Sequence, residues 1–476
     1  MFAKILQFIR ELYAKMIGQS TVTQVLKVPI AISSEMANAL QLWSALYENR
    51  APWLNADIKS LNLPAAIAGE LARAATIEMK VEFTGSARAK FLESQFMRLM
   101  PKLRAQVEYG LAKGGLVMKP YVDGDRLAVD FVHADQFYPV SFDADGEIAA
   151  CVFADSRTVG DKYYTRLEFH QMTEAGCEIR NMAYRSSSKD TLGVRVPLDV
   201  IDDWASLEPE AVITGIDKPL FAYFKFPMAN NVDATSPLGV SCYSRAVDLI
   251  RDADIQWSNL LWEFESGQRA LYADVLAYGR DRDGNPVLPH KRLYRALNGG
   301  GNIGEEGMFH EWTPSLREEN ILRGLDAILK RIEYACGLAY GTLSDPASVE
   351  KTATEIKASK QRTYATVTDT QKALQSALEH LIWAMDVWTT IGGLAPAGAY
   401  AVTFDFDDSV IVDRDMQFQQ DLRLVAQGIM SKAEFRVRNF KEKEDVAKAK
   451  IAEALAERPP EESIFGVLGA IAPDEE

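Results

Sequence analysis

Two apolar seams constrain this chain more than any other feature. Tyr243, Ala246, Ile250, Ala253, Trp257, Leu260 and Phe264 follow one another at alternating intervals of three and four, and Ile321, Leu325, Ile328, Ile332, Ala335 and Ala339 do the same. That rhythm keeps one stripe of an α-helix apolar and turns it toward a neighbouring helix; a strand cannot present it. Ser236 and Pro237 suit a cap and a first turn, so a helix over 237–266 would be about 45 Å long at ~1.5 Å per residue. Ser315 and Glu318 have capping-box spacing and open the second helix. Residues 269–313 between the helices mix strand and turn sequence. The two helices are therefore expected to lie antiparallel, with a small β module at their tip.

The rest of the chain reads as α+β. Residues 34–110 look helical: Leu42, Trp43, Leu46 and Tyr47 recur at helical spacing, Pro52 breaks the run, Leu63-Pro64 opens another, and Phe91, Phe96, Leu99, Leu103 and Val107 continue it. After Gly114-Gly115 the period changes. Residues 117–122 meet Asp123-Gly124, a hairpin signal, before 127–132. Asp143-Ala144-Asp145-Gly146 precedes a strand over 148–153, and 163–169, 178–184 and 194–198 complete a meander. Beyond a break at 344–348, a very long helix is expected over 352–390, opened by the pair Thr352/Glu355. Residues 399–406 alternate, with Val402, Phe404 and Phe406 on one face and Thr403, Asp405 and Asp407 on the other, as in a half-buried strand. Residues 413–457 read as charge-mixed helix before Pro459-Pro460 and an acidic tail. No repeat at a solenoid period is visible.

Searches for chemistry lead to structural readings. No GxxxxGK[ST] stretch and no Gly-x-Ser-x-Gly elbow occur; Gly239-Val240-Ser241-Cys242-Tyr243 falls inside the expected first helix. Residues 299–304 satisfy G-x-G-x-x-G, but Glu305 and Glu306 follow where pyrophosphate needs positive potential, so a loop at the tip is the better reading. His310-Glu311 lacks the second histidine of a zinc protease helix, and Pro314 would break that helix. The stretch from Asp281 to Pro286 has no calcium-ligand ladder and reads as a β-turn. Asp405, Asp407 and Asp408 read as the solvent face of a strand rather than a metal cluster. His133, His170, His290, His310 and His380 are scattered. Cys151, Cys177, Cys242 and Cys336 form no CxxC pair and read as core filler in a reducing compartment. No catalytic residue, metal or cofactor is expected. Residues 1–13 form an amphipathic helix without the features of a signal peptide. The best membrane segment, 380–402, is interrupted by Asp386, Gly392-Gly393 and Pro396, so no membrane association is expected.

Several stretches carry a family resemblance. Residues 218–239, Lys-Pro-Leu-Phe-Ala-Tyr-Phe-Lys-Phe-Pro-Met-Ala-Asn-Asn-Val-Asp-Ala-Thr-Ser-Pro-Leu-Gly, resemble the approach to the first stem helix in portal proteins of tailed double-stranded-DNA phages. The branch most resembled is that of siphoviruses infecting Gram-positive hosts. Gly337-Leu338-Ala339-Tyr340-Gly341-Thr342-Leu343-Ser344, followed by Lys351-Thr352-Ala353-Thr354-Glu355-Ile356, is similar to that family's second stem helix, tunnel loop and start of the long wing helix. Leu42-Trp43, Asn49-Arg50-Ala51-Pro52-Trp53, Gly110-Leu111-Ala112-Lys113-Gly114-Gly115-Leu116 and Phe137-Tyr138-Pro139 match in order. Many members have Gly-Thr-Phe where this chain has Gly341-Thr342-Leu343, and Pro346 stands in its loop.

The resemblance implies a portal fold: an α/β wing, two antiparallel stem helices, a small β-containing clip, a long wing helix after a tunnel loop, and a helical crown. Mapped here, the wing is 1–235 with 352–408, the stem helices 236–268 and 314–343, the clip 269–313, the tunnel loop 344–351 and the crown 409–476. It further implies a non-enzymatic, dodecameric ring at one capsid vertex of the virion, assembled in the host cytoplasm. Implied partners are the terminase large subunit, an adaptor or head-completion protein, major capsid and scaffolding proteins, and double-stranded DNA passing through without tight binding. Ser344, Asp345, Ser348, Val349, Glu350 and Lys351 are the implied channel residues; Arg280, Arg282, Lys291 and Arg292 are the implied clip contacts. The residues themselves leave plain solvated charge open for both groups, and packing is the reading for Trp257, Trp262 and Phe264. Another phage structural protein, minor head or scaffold-associated, is the alternative, favoured by a long central helix without a β tip.

Length and charge bound all of this. At 476 residues the chain is about three times a ~150-residue domain, enough for two or three domains. A 47% apolar and 25% charged composition excludes wholesale disorder. A net charge of −15 argues against static gripping of nucleic acid, which needs clustered Lys and Arg to displace counterions. It leaves room for a ring through which DNA slides.

Overall fold

The computed structural model describes residues 22–23, 26–188, 191–268, 270–274, 279–280, 283, 286–287, 294–297, 309–312, 314–346, 353–406, 414–440 and 442–456. The chain divides into two compact units, Met1–Phe406 and Asp407–Glu476. Among the described residues it holds ten α-helices and several small sheets, a mixed α+β architecture as expected.

The first unit opens with α1 (Ser34–Tyr47), whose Met36 amide donates to the Ser33 hydroxyl at 3.3 Å, and α2 (Leu63–Thr76), with proline in its first turn. Next comes β1 (Met79–Gly85), then α3 (Ala87–Met97) and α4 (Met100–Lys113). The expectation of helices alone over 34–110 is corrected at β1. Met79 and Val81 are buried, while Lys80 and Glu82, which alternate with them, are exposed. That period-two signal is short, and its partner strand lies more than three hundred residues away.

Strands β2 (Leu116–Asp123) and β3 (Arg126–His133) form the expected hairpin, with Asp123 opposite Arg126. The meander follows in sequence order: β4 (Phe137–Phe142), β5 (Ile148–Val159), β6 (Lys162–Thr173), β7 (Gly176–Ser186) and β8 (Val194–Val196). Strand β9 (Glu210–Thr214) pairs the other end of β7, and β10 (Ala222–Phe224) adds to β2. Four buried free cysteines confirm the core-filler reading. Burial pushes the Cys177 thiol up to about 11 and that of Cys336 to about 12.

The first seam helix, α5, spans Val247–Ser266 after a single 3-10 turn, ten residues later than Ser236-Pro237 indicated. The intervening segment is held elsewhere. The Lys225 ammonium donates to the Pro237 carbonyl at 3.0 Å, the Gly239 amide to the Tyr223 hydroxyl at 3.0 Å, and the Cys242 amide to the Leu111 carbonyl at 2.9 Å. A Cβ on Gly239 would stand 2.1 Å from the Gly114 carbonyl, so only glycine allows these backbones to approach. Residues 239–243 thus lie outside the helix in which they were expected.

At the tip, β11 (Ala270–Asp274), β12 (Gly279–Arg280), β13 (Pro286–Val287), β14 (Tyr294–Leu297) and β15 (Phe309–Trp312) precede α6 (Glu318–Ala335). The long helix α7 (Ala353–Ile391) and strand β16 (Tyr400–Phe406) match their expected positions. β16 pairs antiparallel with β1; Val402, Phe404 and Phe406 are half-buried, while Thr403 and Asp405 are exposed. One large core joins α1–α4, the β2–β3 hairpin, α5, α6 and α7, with Trp43, Ile67, Phe96, Val107, Met118, Tyr243, Ile332 and Leu378 essentially inaccessible to solvent.

The second unit is helical over its described residues: α8 (Arg414–Ala426), α9 (Lys432–Phe440) and α10 (Glu444–Ala456). Phe418, Phe435 and Phe440 pack ring to ring at centroid distances of 5.2–6.4 Å. Buried Asp421 accepts from Asn439 at 3.0 Å and pairs with Arg438 at 3.3 Å. Residues 1–13 and the acidic tail lie outside the described residues.

Candidate functional site

The helical hairpin is antiparallel, as the seams required. Near the end of α5, Glu263 meets Arg317 at the start of α6; one turn further along, the Gln256 amide donates to the Ile321 carbonyl at 3.3 Å. Ile250, Ala253, Leu260, Leu325 and Ile332 are buried on the facing sides. The capping box at Ser315 does not form. Arg317 is the N-cap, and its amide donates to the Glu263 carboxylate at 2.9 Å, while its guanidinium reaches the same carboxylate at 2.8 and 3.2 Å. The cap therefore comes from the neighbouring helix, and these hydrogen bonds hold the Glu263 carboxyl below the usual carboxylate range.

Outward, the hairpin is unusually apolar. Trp262 is 64% exposed, Phe264 47% and Tyr334 56%; Ile255, Leu261 and Leu322 are exposed as well. Within one copy Trp257 is half-buried against the core, whereas Trp262 and Phe264, read from sequence as packing residues, have no cover.

Helix α6 ends at Ala335, before the seam reaches Ala339. The Leu338 amide donates to the Glu333 carbonyl at 2.8 Å and the Gly337 amide to that of Tyr334 at 3.3 Å, a Schellman motif. Gly337 takes a φ of +72° and Leu338 is buried, which completes it. The chain then folds back onto Glu333, whose side chain is fully buried. Its carboxylate accepts from the amides of Gly341 (3.0 Å), Leu343 (2.6 Å) and Ser344 (2.9 Å), and from the Ser344 hydroxyl (2.9 Å). The Asp345 amide donates to Asp326 at 3.0 Å, and Asp326 pairs with Lys330 at 2.6 Å.

Helix α7 holds the same turn from another side. The Thr366 hydroxyl donates to the Gly337 carbonyl at 3.1 Å, and the Arg362 guanidinium lies 4.4 Å from the Tyr334 ring centroid and 5.8 Å from that of Tyr340.

Of the expected channel residues, Ser344 is buried within one copy with its hydroxyl on Glu333, and Asp345 is exposed. Ser348, Val349, Glu350 and Lys351 lie outside the described residues. Of the expected tip contacts, Arg280 stands in β12 opposite Pro286, while Arg282, Lys291 and Arg292 lie outside the described residues. The pairing of β12 with β13 agrees with a turn over 281–286. The sheet order is β14-β11-β15, with β11 parallel to β14 and antiparallel to β15. The tip strands thus pair first within their own chain. The residues not singled out from sequence are Glu333, Arg362 and Glu263, each of which acts through partners beyond its own helix.

Two other polar groupings carry titratable side chains. Lys119 of β2 meets Arg166, Glu168 and His170 of β6, with Glu168 2.6 Å from both Lys119 and His170. Burial opposes the Glu168 charge, but Lys119, His170 and Arg166 outweigh it and hold the carboxyl well below the usual range; burial lowers His170. All four side chains are enclosed, which suits rigid cross-bracing of strands. A cleft of 610 Å³ lined by Asp143, Glu147, Asp217, Glu379 and His380 spends its histidine on the Pro219 carbonyl at 2.8 Å. Among the described residues no three His, Cys, Asp or Glu side chains converge as metal ligands, and no described helix is long and apolar enough to cross a membrane.

No curated protein matches the chain. The family model of phage portal proteins of the SPP1 Gp6-like type matches residues 100–461, about three quarters of its length. That span contains the meander, both seamed helices, the tip, the long helix and most of the C-terminal unit. An antiparallel apolar hairpin, a β tip and a turn clamped between two helices are thus the parts of a structural, non-enzymatic machine, and the chain belongs to the SPP1 Gp6-like phage portal protein family.

Proposed function

We propose that this chain forms the ring at one vertex of a phage capsid, twelve copies in the virion, through which double-stranded DNA enters during packaging and leaves at ejection. Family membership implies an oligomeric ring. The observation that carries the reading to this chain is the hairpin, whose outward apolar side chains have no cover within one copy. In the ring, α5 and α6 form the stem, residues 269–313 the clip, 344–351 the tunnel loop, 1–235 with 352–408 the wing and 409–476 the crown. The clip docks the terminase large subunit and later the adaptor or head-completion protein, with Arg280, Arg282, Lys291 and Arg292 as its cationic contacts. Asp345, Ser348, Val349, Glu350 and Lys351 face the bore, and the wing meets capsid and scaffolding proteins in the host cytoplasm. A net charge of −15 per copy keeps the duplex mobile, because few counterions are displaced. The paired strands at the hairpin tip favour a portal over a minor head or scaffold-associated protein.

The experiment is substitution of the uncovered side chains on the two sides of α5. Trp262→Glu with Phe264→Glu is expected to leave the chain folded by circular dichroism and monomeric by light scattering where the wild type is oligomeric. A double variant that still assembles would show that these side chains are not the ring contact.

A further inference from the structure

We propose that Glu333 is the positioning residue of the tunnel loop. Its carboxylate fixes residues 341–344 to the second stem helix and thereby sets the point from which the chain leaves the stem; this rests on the portal reading. A carboxylate wholly removed from water must be hydrogen-bonded or give up its charge. Here, among the described residues, every hydrogen bond to it comes from the loop root: three amides and one hydroxyl, at 2.6–3.1 Å. Three amides of one tight turn converge on a single carboxylate oxygen, with Gly341 at φ +89° shaping the turn. Because the donors share one acceptor, the root is held or released as a unit.

The geometry extends beyond a helix end. Asp326 lies seven residues before Glu333, so the two share a helix face, and Asp326 takes the next amide along, that of Asp345. The root therefore runs back along α6 and is pinned at two heights. From the other side, Thr366 and Arg362 of α7 hold Gly337, Tyr334 and Tyr340. The turn is thus gripped by α6 through Glu333 and by α7 through Thr366 and Arg362.

The test uses full-length rings of wild type, Glu333→Ala and Glu333→Gln. Hydrogen exchange is read at the Gly341, Leu343 and Ser344 amides, and the dwell time of a linear duplex driven through single rings held in a solid-state pore is read alongside. Losing charge-assisted hydrogen bonds is expected to speed exchange at these amides by roughly tenfold to hundredfold in Glu333→Ala. Dwell times should shift severalfold, with both effects smaller in Glu333→Gln, which keeps one oxygen acceptor. Unchanged protection overturns the clamp. Protection lost with dwell times unaltered overturns the positioning role and leaves a helix-end brace. Should Glu333→Ala fail to assemble, Glu333→Gln carries the same comparison with the same signs. Absence of rings in the wild type would instead refute the portal reading, and exchange at the three amides would still decide the clamp.

Discussion

Replacing Gly337 by alanine probes the junction of α6, the turn after it and α7 with a single methyl group. The residue sits at φ +72°, where an L side chain costs about 1–2 kcal/mol. The added Cβ would stand 2.4 Å from the Thr366 hydroxyl and 3.2 Å from its methyl, so Thr366 must rotate. Rotation forfeits a hydroxyl shared between the Gly337 and Arg362 carbonyls, both at 3.1 Å, at a cost of about 1 kcal/mol. Lower entropy of the unfolded chain returns about 0.4–1 kcal/mol. The net expectation is a loss of about 2 kcal/mol, an ~30-fold rise in local opening. Native-state hydrogen exchange of the Leu338 amide, bonded to the Glu333 carbonyl, reads this directly. Thr366→Ala removes the obstruction, so in that background Gly337→Ala should cost about 1 kcal/mol less. Equal protection of Leu338 in wild type and Gly337→Ala, or strict additivity in the cycle, would refute the reasoning.

Further outcomes follow from single sites. Ile332→Ala empties a fully buried position on α6 and should destabilise the first unit by about 2–5 kcal/mol in denaturant unfolding, with exchange rising along α5 and α6. Asp254→Ala strands the Trp53 indole and the Leu61 amide, which it accepts at 2.9 and 2.8 Å; a loss of about 2 kcal/mol and faster exchange at Leu61 are expected. In the second unit, hydrogen bonds from Arg436 and Lys450 draw the Glu442 carboxyl from its ordinary 4.5 down to about 2. The depressed value means stabilisation present above the ordinary value and lost as pH falls toward 2. A far-UV circular dichroism titration should show acid loss of helix over that window, and Glu442→Gln should flatten it.

Elements with their own periodicity were legible in the sequence. The middle of each seam, from Ile250 to Leu260 in α5 and from Ile321 to Ala335 in α6, the alternation of Val402, Phe404 and Phe406, and the long run of α7 appear where local spacing placed them, while Tyr243, Ala246 and Ala339 fall outside their helices and Phe264 is exposed. Boundaries failed where a distant group took over a local one. Ser236 and Ser315 have good cap chemistry, yet the segment after Ser236 is tied to Leu111, Tyr223 and Lys225, and Glu263 caps α6 in place of Ser315. Strand β1 was hidden among helices because seven alternating residues have no meaning until β16 supplies their ladder. The loop root was hidden for a related reason. A glutamate beside Ile332 looks like the polar side of a helix, and nothing local tells that Gly341, Leu343 and Ser344 fold back to bury it.

The proposed function requires a ring that conducts duplex DNA, and negative-stain electron microscopy of the purified full-length protein reads that out. Closed rings with a central hole wide enough for a duplex are expected, their wall built from the α5–α6 hairpins. Particles that remain monomeric at high protein concentration, or open filaments without a central hole, would contradict it.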